Sequence, residues 1–191
     1  MKIHIMGASC AGSTTLGVAL SDRLGSFYFD TDYYFWEPSD PPFTIRRNAD
    51  ERDEMIKQEL AKQNDWVVGG SVIQWGSEWK HMFDLVVFLY VPSQIRMQRL
   101  KDREFERYGN NLFANSDKAL KSEAFINWAK GYDDNTASGR NLKAHESWLE
   151  QLTCPIIRIE GDTTVQKRLD TILSYLNSTR QRDWYSFQKP H

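Results

Sequence analysis

The chain has 191 residues, 40% hydrophobic and 26% charged, with 24 Lys plus Arg against 26 Asp plus Glu. That balance excludes wholesale disorder, and a formal net charge of −2 lacks the basic excess that nucleic-acid binders carry. No apolar run approaches the ~18–20 residues of a bilayer crossing, so neither a nucleic acid nor a membrane is an expected partner.

Met1–Met6 lacks the basic flank and long apolar stretch of a secretory signal. Cys10 and Cys154 are too few for a disulfide framework. A reduced, cytoplasmic setting is therefore expected. Lys2–Met6 reads as a short strand running straight into Gly7-Ala-Ser-Cys-Ala-Gly12-Ser-Thr-Thr. Leu16, Ala19, Leu20 and Leu24 then recur at helical spacing, and Gly25 suits the helix end. Ser26–Phe29 is a second strand closed by Asp30-Thr-Asp32, and Pro38, Pro41 and Pro42 mark an irregular segment. Asp50–Gln63 reads as helix, and Trp66–Val68 as a buried strand entering Gly69-Gly70-Ser71.

Leu85–Val91 is seven apolar residues between Asp84 and Pro92, the pattern of a strand covered on both faces. Ser93 is the expected cap of a helix to Arg107, and Gly109–Asp117 is polar and turn-rich. Helical stretches follow at Lys118–Lys130 and Arg140–Leu152, then a fifth strand at Pro155–Ile159 and a last amphipathic helix at Thr163–Leu176. Strands alternating with helices predict an α/β layered fold with a parallel sheet. The expected organisation is one domain over 1–180 with a helical insertion at about 107–140, and a tail at 181–191 that packs back or frays.

Gly7 to Thr14 has the spacing of a phosphate loop except that Ser13 stands where lysine is expected. Gly7 and Gly12 permit the turns and close approach that a Cβ blocks. Inward amides and the following helix N-terminus make an anion nest. Ser9, Cys10, Ala11, Ser13, Thr14 and Thr15 complete the candidate nucleotide contacts, and Thr14 or Thr15 offers a hydroxyl to Mg²⁺. The plainer alternative is a Gly/Ser turn between strand and helix. Cys10 is open to a depressed thiol pKa or to no redox role at all.

These features resemble small P-loop kinases of the nucleoside monophosphate kinase class, and more closely bacterial adenylate kinase-like proteins whose loop lacks lysine. Phe29-Asp-Thr-Asp32, Trp36, Gly69-Gly70-Ser71, Asp84 to Pro92, the arginine-rich helix behind it, and Cys154 to Asp162 extend the resemblance over almost the whole chain. Shikimate and gluconate kinases share the Asp-x-Asp and glycine-pair positions. The resemblance implies a three-layer P-loop NTPase fold, a five-stranded parallel sheet of order 2-3-1-4-5, a mobile lid between strands four and five, and use of ATP with Mg²⁺. By resemblance to shikimate kinase, Asp30 supports Mg²⁺ through water and Asp32 holds the acceptor hydroxyl; ending a strand or capping a helix is the alternative for both.

Arg46 and Arg47 are candidates to grip a substrate phosphate or carboxylate, against a solvated surface pair. Gly69 and Gly70 would let a substrate approach the strand-three backbone, and Trp36 and Trp75 are candidate walls for the acceptor. Arg96, Arg99, Arg103 and Arg107 share one helix face. Lid arginines in this class fold over the phosphates, and Arg99, Arg103 and Arg140 are the candidates. His145 has no metal-spaced partner and reads as structural or solvated. The function expected is a kinase for a small molecule or nucleotide, as a monomer or homodimer. A nucleotide-sensing module without efficient transfer is the alternative.

Overall fold

The computed structural model describes residues 1–40, 42–109 and 117–187. In strand β1 (Lys2–Gly7), Ile3 and Ile5 point to one side and His4 and Met6 to the other, and all four are buried. Strand β4 (Leu85–Tyr90) repeats the pattern, with Leu85, Val87 and Leu89 opposite Val86 and Phe88. Strands apolar on both faces need layers on both sides, which is the parallel-sheet solution. With β2 (Phe27–Asp30), β3 (Trp66–Gly69) and β5 (Ile156–Glu160) they form one sheet of order β2-β3-β1-β4-β5, parallel throughout.

One face packs on helices α1 (Ser13–Leu24) and α7 (Val165–Phe187) through Leu16, Leu20, Leu169, Ile172 and Leu176. The other face carries α3 (Ala49–Leu60), a 3₁₀ turn at Glu78–His81 and α6 (Leu142–Leu149). Its layer is aromatic: Trp66, Trp75, Trp79, Phe83, Phe88 and Trp148 are all buried there. Most of the tryptophan content is thus core. Trp75, an expected acceptor wall, is buried with the Arg52 guanidinium 4.0 Å above its ring. It does not line the cleft described below.

The element boundaries shift by small amounts from the sequence reading. Gly25 ends α1 in the left-handed conformation, φ 64°, as expected. Ser93 opens α4 (Ser93–Tyr108) as its first helical residue, behind Pro92 at the cap position. A short helix α2 (Thr31–Phe35) follows β2 directly, with Asp30 as its N-cap. The last helix continues to Phe187 instead of stopping at Leu176. Helix α5 (Asp117–Lys130) follows the expected turn-rich stretch, of which 110–116 lie outside the described residues, as do 188–191.

Two buried histidines belong to this architecture. His4 stacks on Phe83 at 4.7 Å, and His145 bridges Tyr132 (2.6 Å) and Ser71 (3.2 Å) through its two ring nitrogens. His145 is therefore structural. Burial lowers the His4 pKa to about 4 and, with Arg140 and His4 adding to it, the His145 pKa to about 3. The unfolded chain takes up these protons below about pH 6.5, whereas the folded chain does not until pH 3–4. Stability present above pH 6.5 is thus lost as pH falls toward 4, on the order of 2 kcal/mol per histidine by pH 5. Urea unfolding at pH 7.5 and 5.0 should show this fall, and His145→Gln should reduce it.

Candidate functional site

The parallel register brings the strands' carboxyl ends together. Gly7 pairs with Leu89 across β1 and β4, and Asp30 pairs with Gly69 across β2 and β3. Open α/β sheets place their ligands outside this edge. A cleft of about 900 Å³ opens there, lined by the loop after β1 together with Asp30, Asp32, Gly70 and parts of α4, α5 and α7. That volume is ample for a nucleotide-sized ligand.

The loop has the form its sequence suggests. Ala11 N–H donates to Ala8 O at 3.0 Å, closing a tight turn. Cys10 and Gly12 both take positive φ, 62° and 96°, and Gly12 caps α1 with no side-chain bond. Gly7 admits no side chain, because a Cβ there would stand 2.5 Å from Leu89 O. Gly7, Ser9, Cys10, Gly12, Ser13, Thr14 and Thr15 line the cleft, as does Ala8; Ala11 is buried beneath them. No acidic residue of α1 itself occupies its first turn, whose positive end faces the cleft. Burial pushes the Cys10 thiol pKa up, with Arg103, Arg107 and Arg96 opposing only in part. The depressed pKa open from the sequence is not found.

Asp30 is held by three donors. Thr14 Oγ1 (3.0 Å) and the Tyr28 hydroxyl (3.1 Å) donate to its Oδ2, and the Asp32 amide donates to its Oδ1 at 2.9 Å. Asp30 therefore both caps α2 and stands beside the loop threonine. Tyr28 reaches it through a slot that two glycines leave open: a Cβ on Gly17 or Gly69 would lie 2.3 or 2.2 Å from the Tyr28 ring or hydroxyl. Gly69 thus makes room for Tyr28 and does not line the cleft, whereas Gly70, at φ 110°, does. A Cβ on Gly70 would meet Thr31 Oγ1 at 1.8 Å. Gly69 thus serves packing beneath Asp30, and Gly70 both packs on Thr31 and lines the cleft.

Thr14 and Asp30 offer a hydroxyl and a carboxylate, hard oxygen donors that fit Mg²⁺. Among the described residues no group of three or more His, Cys, Asp or Glu could hold a metal. Asp32 lines the cleft with Arg140, Arg103 and Arg107. Although Asp32 is exposed to the cleft, partial desolvation and the Asp30 charge raise its pKa, the arginine charges opposing only in part.

The arginines divide. Arg140 lies just ahead of α6, its Nη2 donating to Ser9 Oγ at 3.2 Å and its guanidinium 5.2 Å from the Trp128 ring. Its Nε is buried without a hydrogen-bond partner among the described residues. Arg99 pairs with Asp162, and its Nη1 donates to Cys10 O at 3.5 Å. Arg103 and Arg107 both lie near Glu104, at 3.8 and 3.9 Å, and stand over Phe125 and Phe43. Arg96, expected on their face, is instead fully buried, pairing with Asp133 and donating to Val91 O at 2.8 Å. Through these contacts the first turn of α4 anchors the segment that carries Tyr132 and Asp133.

Trp36 and Arg46 line the cleft and are joined by an antiparallel bridge. Arg47 turns away: its Nε donates to Tyr34 O at 2.9 Å and Nη1 pairs with Glu37 at 3.3 Å. It ties the hairpin and does not line the cleft. Sequence reading missed Tyr28 and Arg168. Arg168 stands on the apolar stripe of α7, three after Val165 and four before Ile172. A charge at that position was the available signal.

A family profile described as an AAA domain matches residues 3–120. The Bacillus subtilis (strain 168) protein YqaC is 43% identical over 177 residues, 93% of this chain and 98% of that protein. The shikimate kinase of Thermosynechococcus vestitus is 29% identical over 119 residues, 54% of this chain and 62% of that enzyme. In three dimensions the chain is similar to shikimate kinase from Acinetobacter baumannii, with a TM-score of 0.55, 17% identity and 93% of each chain covered.

Proposed function

The chain belongs to the AAA domain family and has the P-loop kinase fold, and from that premise we propose that it transfers the γ-phosphoryl group of ATP to a small-molecule or nucleotide acceptor. The observation that carries the reading is the convergence of Thr14, Asp30, Asp32 and Arg140 on the loop in one cleft. The loop amides and the α1 N-terminus hold the β- and γ-phosphates. Thr14 and Asp30 are the residues to hold Mg²⁺, which offsets phosphate charge when bound. Asp32 orients the acceptor hydroxyl and accepts its proton as the oxygen bonds to phosphorus and the bond to the ADP oxygen breaks. Arg140, with Arg103 and Arg99, stabilises the transferring charge. Trp36 and Arg46 border the acceptor side.

Calorimetric titration with ATP and Mg²⁺ tests the first step. The native chain should bind at or below millimolar concentration. Gly12→Val should not bind, because a Cβ at φ 96° is strained and meets the Arg168 guanidinium at 3.1 Å. Absence of heat from the native chain would refute nucleotide binding; binding without ADP release against any acceptor would favour a sensing module.

A further inference from the structure

We propose that Arg168 is the fixed cation of the nucleotide loop and supplies the electrostatic contribution missing at Ser13. The inference rests on the kinase reading above. Arg168 is only 4% exposed. Its Nη1 donates to Ala11 O at 2.8 Å and its Nε to Thr163 Oγ1 at 3.0 Å. Both bonds are made by a side chain fixed in the first turn of α7, so the guanidinium does not depend on closure of the α5–α6 arm.

Its neighbours define its role. A Cβ on Gly12 would lie 3.1 Å from Nη1, which places the charge against the residue that caps α1. A cation beside a helix N-terminus is unfavourable on its own. Burial and the nearby Arg99 both weaken its hold on its proton, and only the Asp162 charge opposes them. Among the described residues no carboxylate lies within ion-pair distance of Arg168. By contrast Arg99 is paired with Asp162, and Arg103 and Arg107 share Glu104. A buried cation with no direct ion-pair partner next to a positive helix end costs stability until an anion arrives. A polyphosphate seated in the loop is such an anion, and it relieves both charges at once.

The role is therefore positioning and electrostatic: Arg168 pins the Ala11 carbonyl and raises the potential where the amides converge. A mobile lysine at Ser13 would reach phosphate directly. Arg168 lines the same cleft from α7 and is bonded to the loop carbonyl.

The test compares Arg168→Gln, which keeps a donor for Ala11 O without charge, and Arg168→Lys, which keeps the charge. Dissociation constants for AMP, ADP and ATP, the latter two with Mg²⁺, are measured by calorimetry beside the Tm of each unliganded protein. The glutamine variant should lose ~10-fold or more in ATP affinity, the worth of about one charge-assisted interaction. The loss should shrink from ATP to ADP to AMP, with Tm unchanged or raised. The lysine variant should stay within about threefold of the native chain. Native ATP affinity in the glutamine variant, or equal losses for all three nucleotides with a lowered Tm, would overturn the proposal. If the glutamine variant does not fold, the lysine variant decides: retained ATP affinity supports it, and a ~10-fold loss at unchanged Tm overturns it. A native chain that binds none of the three nucleotides refutes the kinase reading itself, an outcome separate from any variant.

Discussion

Asp32→Asn lowers kcat by ~10²–10⁴-fold, the range of general-base contributions, while ATP affinity stays within about twofold. The asymmetry follows from geometry. Asp30, not Asp32, accepts the Thr14 and Tyr28 hydroxyls and stands beside the loop. Asp32 makes no such bond to the loop threonine; it lines the same cleft within the electrostatic influence of Arg140, Arg103 and Arg107. An interaction made with the acceptor in the transition state appears in kcat and leaves nucleotide binding alone. The pH profile follows from the raised Asp32 pKa. The acid limb of kcat/KM should lie above the ~3.9 of an ordinary aspartate. Stability moves the other way, since a carboxyl whose folded pKa is raised penalises the fold once it ionises. Asp32→Asn should therefore raise Tm at neutral pH, and the advantage should fade as pH falls through the Asp32 range. An unaltered kcat removes Asp32 from the chemistry.

Arg140→Ala is the second large effect, at ~10³-fold or more in rate, as for arginines that neutralise a transferring phosphoryl group. Arg140 touches the loop across 131 residues of sequence, its Nη2 on Ser9 Oγ and its Nε without a partner. Asp32 supports its charge and burial opposes it. Phosphate oxygens would satisfy the idle donor. Because a lysine at position 13 would serve overlapping oxygens, Ser13→Lys should partly restore the rate of Arg140→Ala. Comparing the double variant with each single one measures that coupling. Additive losses, or a native rate in Arg140→Ala, would refute the shared role. Arg99→Ala should cost less, because its charge is already paired with Asp162.

The rest of the cleft lining carries a different balance. Arg46, Arg107 and Lys121 line the cleft, as do Trp36, Phe43, Phe125 and Glu104. Glu104 is itself committed, accepting from Ser122 at 2.8 Å and lying near two arginines. The wall is therefore positive and aromatic.

Much of this was local enough to read from the sequence. The strand–loop–helix of Lys2–Leu24 follows from an apolar run, two glycines and a helical repeat, and it has that form. The seven-residue apolar run at Leu85–Val91 identified a doubly covered strand because burial on both faces leaves no polar position. The Asp30-Thr-Asp32 position was legible because a strand's end is itself a sequence feature. Long-range direction was not. Arg46 and Arg47 are adjacent, yet one lines the cleft and the other ties a hairpin. Arg96 shares a helical face with Arg99 on paper, but burial under the Tyr132 arm gives it an internal partner instead.

The sequence by itself determined the sheet's strands, the phosphate-loop geometry and the absence of its lysine, since each depends on residues a few positions apart. Only the tertiary structure decided why Gly17 and Gly69 must be glycine, which is to seat Tyr28 under Asp30. It alone brought Arg140 to Ser9 and Arg168 to Ala11, across 131 and 157 positions. The physical reason is that a charge's environment is set by which elements pack around it, and packing follows the sheet order, not the chain order.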